Sequence, residues 1–158
     1  MKHVISATLA LMMSANGALA LSCMRPDALS SYKAAAEASE PYVVVSGVLA
    51  HQMPPSEQAQ TGEPKVVSFT AQLVGRYLRD DGFTGNFSAP VDVTLNCVSE
   101  WCATLPPQRA SVLAFLQIKD DAYVLDVQPC QQWLFQDPEP EQMVALFACH
   151  TEGDCTPG

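Results

Sequence analysis

The chain has 158 residues, 48% of them hydrophobic, which is enough to bury the core of one domain. It carries 8 Lys and Arg residues against 17 Asp and Glu residues, for a formal net charge of −9. This acidic balance, without a basic cluster, argues against nucleic acid or an anionic membrane as a partner.

The first twenty residues have the composition of a secretory signal peptide. A short basic start precedes an apolar run over Val4–Met13, and Ala18-Leu19-Ala20 fits the site that signal peptidase cleaves. The apolar run is too short to remain in a bilayer as a permanent anchor. We therefore predict that residues 1–20 are removed, that residues 21–158 form a single domain, and that the protein is exported to a periplasm or to the extracellular space.

All six cysteines follow the predicted signal peptide. An even number of cysteines in an exported chain predicts three disulfides, although six cysteines permit fifteen pairings. Two pairs are close in sequence and are expected to close local loops, which leaves one pair that ties the N-terminus to the middle of the chain. The expected pairings are Cys97–Cys102, Cys149–Cys155 and Cys23–Cys130.

Cys23 also has an alternative interpretation. Ala20-Leu21-Ser22-Cys23 loosely resembles the lipoprotein box, in which the cysteine becomes a lipidated N-terminus. The position three before the cysteine is usually Leu and is Ala here, and lipidation would leave one of the other five cysteines unpaired. An envelope lipoprotein anchored at Cys23 is therefore the alternative, and without lipidation we expect no membrane association.

The first part of the mature chain predicts a helix followed by two strands. Residues 26–39 favour a helix because they combine an early proline with a run of alanines. Tyr42–Ala50 is rich in β-branched residues and predicts a strand. Residues 52–64 are polar, contain three prolines and predict an exposed loop. Lys65–Arg79 predicts a long strand with a β-bulge at Gly75, where the alternation of apolar residues changes parity.

The second part predicts three more strands and a helix. Asp80–Pro90 contains two glycines and predicts a turn-rich connection, after which Val91–Leu95 alternates as a strand. Ser111–Cys130 predicts a β-hairpin, whose first strand is buried on both faces at Val112–Leu116. Residues 137–141 then begin a helix, with an early proline and carboxylates near the positive end of the dipole.

Five extended segments with a helix at each end predict a mainly β domain, a five-stranded OB-type barrel with flanking helices, braced by disulfides. The layout resembles the netrin-like superfamily, which includes the tissue inhibitors of metalloproteinases, and it is also similar to that of short exported bacterial proteins. The residues that carry the resemblance are Cys23, Tyr42-Val43-Val44-Val45, Cys102, the hairpin strand 112–116, Cys130 and Trp133.

The resemblance implies a protein-binding or inhibitor-like module. In the metalloproteinase inhibitors the mature chain begins with a cysteine whose α-amine and carbonyl chelate the protease zinc. Here Leu21 and Ser22 precede Cys23 in the predicted mature chain, and two extra residues would block that chelation. Cleavage after Ser22 would restore it.

The sequence predicts no cofactor, no metal site and no catalytic site. An even set of cysteines leaves no thiol to pair with His51 or His150 as a nucleophile. The aspartate pairs at residues 80–81 and 120–121 fall in predicted turns, where Asp is common, and lack a partner that could act as acid or base. An enzyme, or an enzyme accessory, that uses His51 or the aspartate pairs is the alternative.

We therefore predict an exported, non-catalytic binding module whose partner is another protein. Its binding surface is expected on the rim near the Cys23–Cys130 bridge and the loop 52–64. Both tryptophans are candidates for that surface, although capping of the core is the commoner role for such aromatic residues. The candidate binding residues are Leu21, Ser22, Cys23, His51, Trp101 and Trp133.

Overall fold

The computed structural model describes residues 23, 27–52, 66–98, 101–153 and 155, and over these residues the protein is mainly β. The predicted signal peptide, Leu21, Ser22 and nearly all of the predicted loop 52–64 lie outside this part. The elements are α1 (Ala28–Glu37), β1 (Tyr42–Ala50), β2 (Val67–Arg79), β3 (Gly82–Leu95), β4 (Cys97–Val98), β5 (Trp101–Cys102), β6 (Ser111–Lys119), β7 (Ala122–Val127), β8 (Leu134–Gln136) and α2 (Pro140–Glu152).

Six strands form one sheet in the order β1-β2-β3-β7-β6-β8, and β1 also pairs with β6. The strands β3 and β7 run parallel over Asp92–Leu95, whereas the other pairs in this sheet are antiparallel. Strand pairing therefore leads from β1 through β2, β3, β7 and β6 back to β1. The prediction of five strands was too low for the described residues, because β8 adds to the edge of β6 and β4 pairs with β5 in a separate small sheet.

Strand β6 separates two hydrophobic cores. Val112, Ala114 and Leu116 point into the first, which we call the interior core and which lies between the strands of the large sheet. Leu113 and Phe115 point the opposite way into the second, which we call the helix layer because both helices contribute to it. All five side chains are at most 1% exposed. The prediction that residues 112–116 are buried on both faces is confirmed.

The helix layer is formed where α1 and α2 cover β1, β6 and β8. Leu29 of α1, Val44 of β1 and Leu146 of α2 are buried together there. Helix α1 begins later than predicted because Asp27 caps it: its carboxylate accepts hydrogen bonds from the backbone N–H groups of Leu29, at 3.3 Å, and of Ser30, at 3.0 Å.

The predicted connection over Asp80–Pro90 is wrong. Only Asp80 and Asp81 form the turn, and β3 begins at Gly82 and continues for 14 residues paired with β2. The pairing with β2 outweighs the local preference of the glycines for a turn. Pro90 is tolerated because it precedes the residues of β3 that pair with β7, so its missing N–H costs no hydrogen bond to that strand.

The bulge predicted at Gly75 is also wrong in position. Gly75 pairs in regular register with Gly47 of β1, and the register shift lies between Tyr77 and Leu78. Tyr77 keeps the parity of Leu73 and packs against the interior core, whereas Leu78, on the opposite face, packs in the helix layer. The apolar pattern changes because the second face of β2 is covered there.

Gly47 and Gly75 are required by a close approach of β1 to β2. A Cβ atom on Gly75 would overlap the carbonyl oxygen of Ser46, and one on Gly47 would overlap the carbonyl oxygen of Val74. The parity change that pointed to Gly75 thus has a different cause from the glycine itself.

The central hairpin and the disulfides agree with the predictions. Strands β6 and β7 are joined by Asp120 and Asp121, both with positive φ, as in a two-residue type I′ turn. The three predicted pairings, Cys23–Cys130, Cys97–Cys102 and Cys149–Cys155, are confirmed. Three disulfides are compatible with an oxidising, exported location.

Within the residues described, neither helix is long and apolar enough to cross a membrane.

Candidate binding site

The candidate site is carried by the connection between β3 and β6, residues 96–110, of which residues 99 and 100 are not described. The backbone N–H of Asn96 donates to the carbonyl of Val127 at 2.9 Å, and that of Ala103 donates to the carbonyl of Asn96 at 2.8 Å. Ala103 is 2% exposed and Leu105 packs against the interior core. The connection is therefore fixed to one end of the sheet.

A small disulfide-closed hairpin projects from this connection. Cys97 lies opposite Cys102, and Val98 lies opposite Trp101. Directly opposed residues of an antiparallel pair project from the same face. Val98 is 47% exposed and Trp101 is 56% exposed. These two side chains form an exposed apolar surface, the hairpin patch, and Trp101 does not have the core-capping role that is the commoner expectation for it.

An open cleft of about 420 Å³ lies beside the end of β1. One wall is the tight turn that precedes β6, in which the N–H of Ala110 donates to the carbonyl of Pro107 at 3.0 Å. Two bonds attach this turn to the end of β1: the Arg109 N–H donates to the carbonyl of Leu49 at 3.1 Å, and the Gln108 side-chain amide donates to the carbonyl of His51 at 2.7 Å. The cleft is lined chiefly by His51, Gln52, Gln72, Pro90, Gln108 and Arg109.

His51 holds this turn through its side chain as well. Its Nε2 lies 3.1 Å from the carbonyl oxygen of Pro106 and donates to it, so Nδ1 is the unprotonated nitrogen of the neutral ring. Nδ1 is buried and has no hydrogen-bond partner among the described residues. The nitrogen that could accept a proton from a substrate is shielded from solvent, so His51 acts here as a structural anchor.

Arg109 gives the cleft its charge. It is exposed, and its guanidinium makes no ion pair with a carboxylate of the described residues, where the ion pairs are Arg79 with Asp81 and His150 with Asp80. None of the described lining residues is acidic. A positive group at the cleft in a chain of net charge −9 stands out from the rest of the surface.

The aspartate pairs lie in the turns at the opposite end of the sheet from His51. The Thr84 hydroxyl donates to the carboxylate of Asp81, and this hydrogen bond lowers the pKa of Asp81 below its ordinary value. Asp120 and Asp121 form the hairpin turn. The structure thus gives the pairs turn positions and does not bring them to His51. Among the described residues, no group of three or more His, Cys, Asp or Glu side chains is arranged to hold a metal ion.

Trp133 is in the opposite situation to Trp101. Its ring lies 5.0 Å from that of Tyr42 and 6.2 Å from that of Phe115, between ring centroids, and it packs against both cores. Trp133 therefore caps the core and does not form part of an exposed binding surface.

The rim near the Cys23–Cys130 bridge adjoins the same connection. Gln131, next to the bridge, donates from its side chain to the carbonyl of Thr104 at 3.4 Å. Because the Cys23 sulfur is in a disulfide, it is not available for the thioether of a lipoprotein. Leu21 and Ser22 lie outside the described residues.

Sequence reasoning missed two groups. Arg109 and Gln108 had no motif to mark them, and the only signal was the Pro106-Pro107 pair that predicts a turn before them. The other group is in the helix layer, where the Tyr32 hydroxyl lies 2.7 Å from His150 Nδ1 and burial raises the pKa of Tyr32.

His150 links the two helices rather than forming a site. Its Nε2 lies 3.4 Å from the Asp80 carboxylate without hydrogen-bond geometry, and that carboxylate is fully exposed, so the contact contributes little to stability.

Comparisons with known protein families, with curated proteins and with solved structures found no match to this chain. Its function is therefore inferred from the geometry of the hairpin patch and the cleft.

Proposed function

We propose that this protein is an exported, disulfide-stabilised binding module that contacts another protein through the hairpin patch, Val98 and Trp101. The observation that carries the proposal is the exposure of Trp101, at 56%, on a hairpin closed by the Cys97–Cys102 disulfide. Tryptophan is among the residues most enriched in the parts of interfaces that dominate binding energy. A Trp that the described residues leave more than half exposed therefore favours a partner that covers it.

The disulfide makes this surface suited to binding. A side chain on a flexible loop loses conformational entropy when it is ordered at an interface, typically about 0.5–1.5 kcal/mol for each immobilised side chain. The Cys97–Cys102 bridge and the pairing of Val98 with Trp101 restrict the hairpin before any partner arrives. The hairpin therefore loses little conformational entropy when a partner binds.

The strand pairing supports an OB-type barrel as the scaffold of this module. The sequence of neighbours β1-β2-β3-β7-β6-β1, with a parallel pair only between β3 and β7, is the cyclic order expected of a small five-stranded Greek-key barrel. On this proposal the module is distantly netrin-like and inhibitor-like, and its partner presents an apolar socket. The net charge of −9 favours a neutral or basic rim around that socket.

The test uses the oxidised mature protein as an immobilised bait on extracts of the compartment to which its host exports it. Trp101→Ala is compared with wild type by quantitative mass spectrometry, and a species that wild type retains is then purified and measured by calorimetry. We expect Trp101→Ala to weaken this species by about 30-fold or more, as for an interface hot spot of 2 kcal/mol or more. Cys97→Ser/Cys102→Ser should weaken it less, because the patch keeps its side chains but loses its restraint.

Val144→Ala is the matched control, because Val144 is an exposed apolar side chain on α2, at 69%, far from the hairpin in the chain. It should bind as wild type does. Equal retention by wild type and Trp101→Ala would contradict the proposal, as would a loss of binding in Val144→Ala of the same size. Retention of nothing above an empty-matrix background would also contradict it.

A further inference from the structure

We infer that the cleft beside His51 is a binding site for a carboxylate, which Arg109 recognises. The site is separate from the hairpin patch and requires no contact with Trp101. Its chemistry follows from three features of the described residues: the sign of the charge at the cleft, the way in which the Arg109 backbone is held, and the other donors that line the cleft.

The charge at the cleft is positive in an otherwise acidic chain. The described lining residues include no Asp or Glu, although acidic residues outnumber basic ones by 17 to 8 in the sequence. Arg109 makes no ion pair with a described carboxylate, whereas Arg79 lies 4.0 Å from Asp81. A guanidinium offers a planar pair of donors that matches the two oxygens of a carboxylate. Arg109 could therefore pair with a carboxylate that comes from outside the described residues.

The backbone at Arg109 is held in an uncommon conformation. Its φ is +64°, in the left-handed region, where a residue other than Gly, Asn or Asp is unfavourable. The conformation persists because the Arg109 N–H bonds to Leu49, the Gln108 side chain bonds to His51, and the His51 ring bonds to Pro106. Three independent contacts thus fix the position from which the Arg109 side chain leaves the backbone.

Further donors line the same cleft as Arg109. Gln52 and Gln72 line the cleft and are exposed, and no described residue forms a hydrogen bond with their side-chain amides. Amide N–H groups can donate to a carboxylate oxygen or to the backbone of a peptide. A volume of about 420 Å³ lies in the range of small-ligand sites. The carboxylate therefore belongs either to a small free acid or to the C-terminus of a peptide.

The experiment is an NMR titration of the ¹⁵N-labelled, oxidised mature protein with succinate, with N-acetyl-trialanine bearing a free C-terminus, and with the C-terminal amide of the same peptide. We expect at least one of the two acids to shift the Arg109 Nε–H and the side-chain amide of Gln72 in a saturable way. The amide should not. Saturation by succinate alone identifies a free acid as the source, and saturation by the peptide acid alone identifies a C-terminus.

Arg109→Gln should weaken the acid that binds by about tenfold or more, since it removes a charge-assisted bidentate pair. Arg109→Lys keeps the charge but not the planar fork, and should weaken it less. Arg76→Gln is the matched control. Arg76, on β2, is exposed like Arg109, but its side chain donates to the carbonyl of Thr84 and does not line the cleft. It should leave binding unchanged.

Three results would overturn the inference. The first is the absence of saturable shifts with either acid at millimolar concentration. The second is equal binding of the peptide acid and its amide, which would show that the carboxylate is not recognised. The third is unchanged binding in Arg109→Gln while its spectrum stays that of the folded protein. A failure here leaves the hairpin patch untouched, since Trp101→Ala reports on a different surface.

Discussion

The helix layer and the connection 96–110 contain the same kinds of residue in different surroundings. Each has one tryptophan, and each has a disulfide that closes a short loop, with sequence separations of 6 and 5. In the helix layer, Trp133 packs between Tyr42 and Phe115, and Cys149 is 2% exposed. In the connection, Trp101 projects into solvent at 56%.

The two tryptophans differ in exposure because the helix layer is covered on two sides, whereas the connection is covered on one. The helix layer lies between the helices and the outer faces of β1, β6 and β8, so an apolar side chain there meets neighbours above and below. The connection covers an end of the sheet, and only its inward residues, such as Ala103, reach the interior core. A side chain that points outward from it, such as Trp101, has few neighbours among the described residues. Residue type alone therefore does not separate a structural tryptophan from one available for binding.

The largest expected effect concerns the disulfide that ties the N-terminus to the segment before Trp133. Cys23→Ser/Cys130→Ser opens a loop with a sequence separation of 107, and the chain-entropy model gives a loss of about 5 kcal/mol in the free energy of unfolding. Cys97→Ser/Cys102→Ser, with a separation of 5, should lose about 2 kcal/mol. Urea unfolding of both variants measures the two values. Equal losses would mean that the long bridge does not restrain the unfolded chain as its loop length implies.

The next effect separates the two tryptophans directly. Trp133→Ala should lower the free energy of unfolding by about 3 kcal/mol, because it removes an aromatic side chain packed against both cores. Trp101→Ala should change it by less than about 0.5 kcal/mol, because the side chain has few neighbours to lose. Urea unfolding of the two variants tests this contrast. A large destabilisation by Trp101→Ala would show that the hairpin patch is part of the core after all.

The smallest effect tests the start of the helix layer. Burial tends to raise the pKa of Asp27, but the hydrogen bonds from Ser30 and Leu29 outweigh it and hold the pKa below its ordinary value of 3.8. A pKa lowered by folding stabilises the protein above the unfolded pKa, and this contribution is lost as the pH falls through the folded value.

Asp27→Ala should therefore cost about 1 kcal/mol at neutral pH, the usual value of an N-cap. Asp27→Asn keeps a capping oxygen, so it should stay close to wild type at neutral pH and lose less stability than wild type below about pH 4. Unfolding measured at both pH values compares the three proteins. If Asp27→Asn loses stability at acid pH to the same extent as wild type, Asp27 does not contribute to the acid dependence of stability.

Most of the scaffold could be predicted from local patterns. The double-sided burial of residues 112–116, the turn at Asp120-Asp121 and the strand Tyr42–Ala50 followed from periodicity and turn chemistry. The disulfide pairings followed from cysteine spacing. The predictions that failed, at Asp80–Pro90 and Gly75, fell where pairing between strands outweighed local preference.

The candidate sites were predicted less well. Trp101 was named together with Trp133, and only their neighbours distinguish them. His51 was named as a possible catalytic group, and the carbonyl of Pro106, 55 residues away, makes it an anchor. Arg109 carried no signal in the sequence, since an isolated arginine after two prolines looks like any surface turn.

The sequence by itself determined the class of this protein, because hydrophobic alternation, turn residues and cysteine spacing act over a few residues each. The tertiary structure alone decided which tryptophan is exposed, which histidine nitrogen is buried and which arginine lines a cleft that has no carboxylate among its described residues. Those properties depend on contacts between residues tens of positions apart, and no local pattern encodes them.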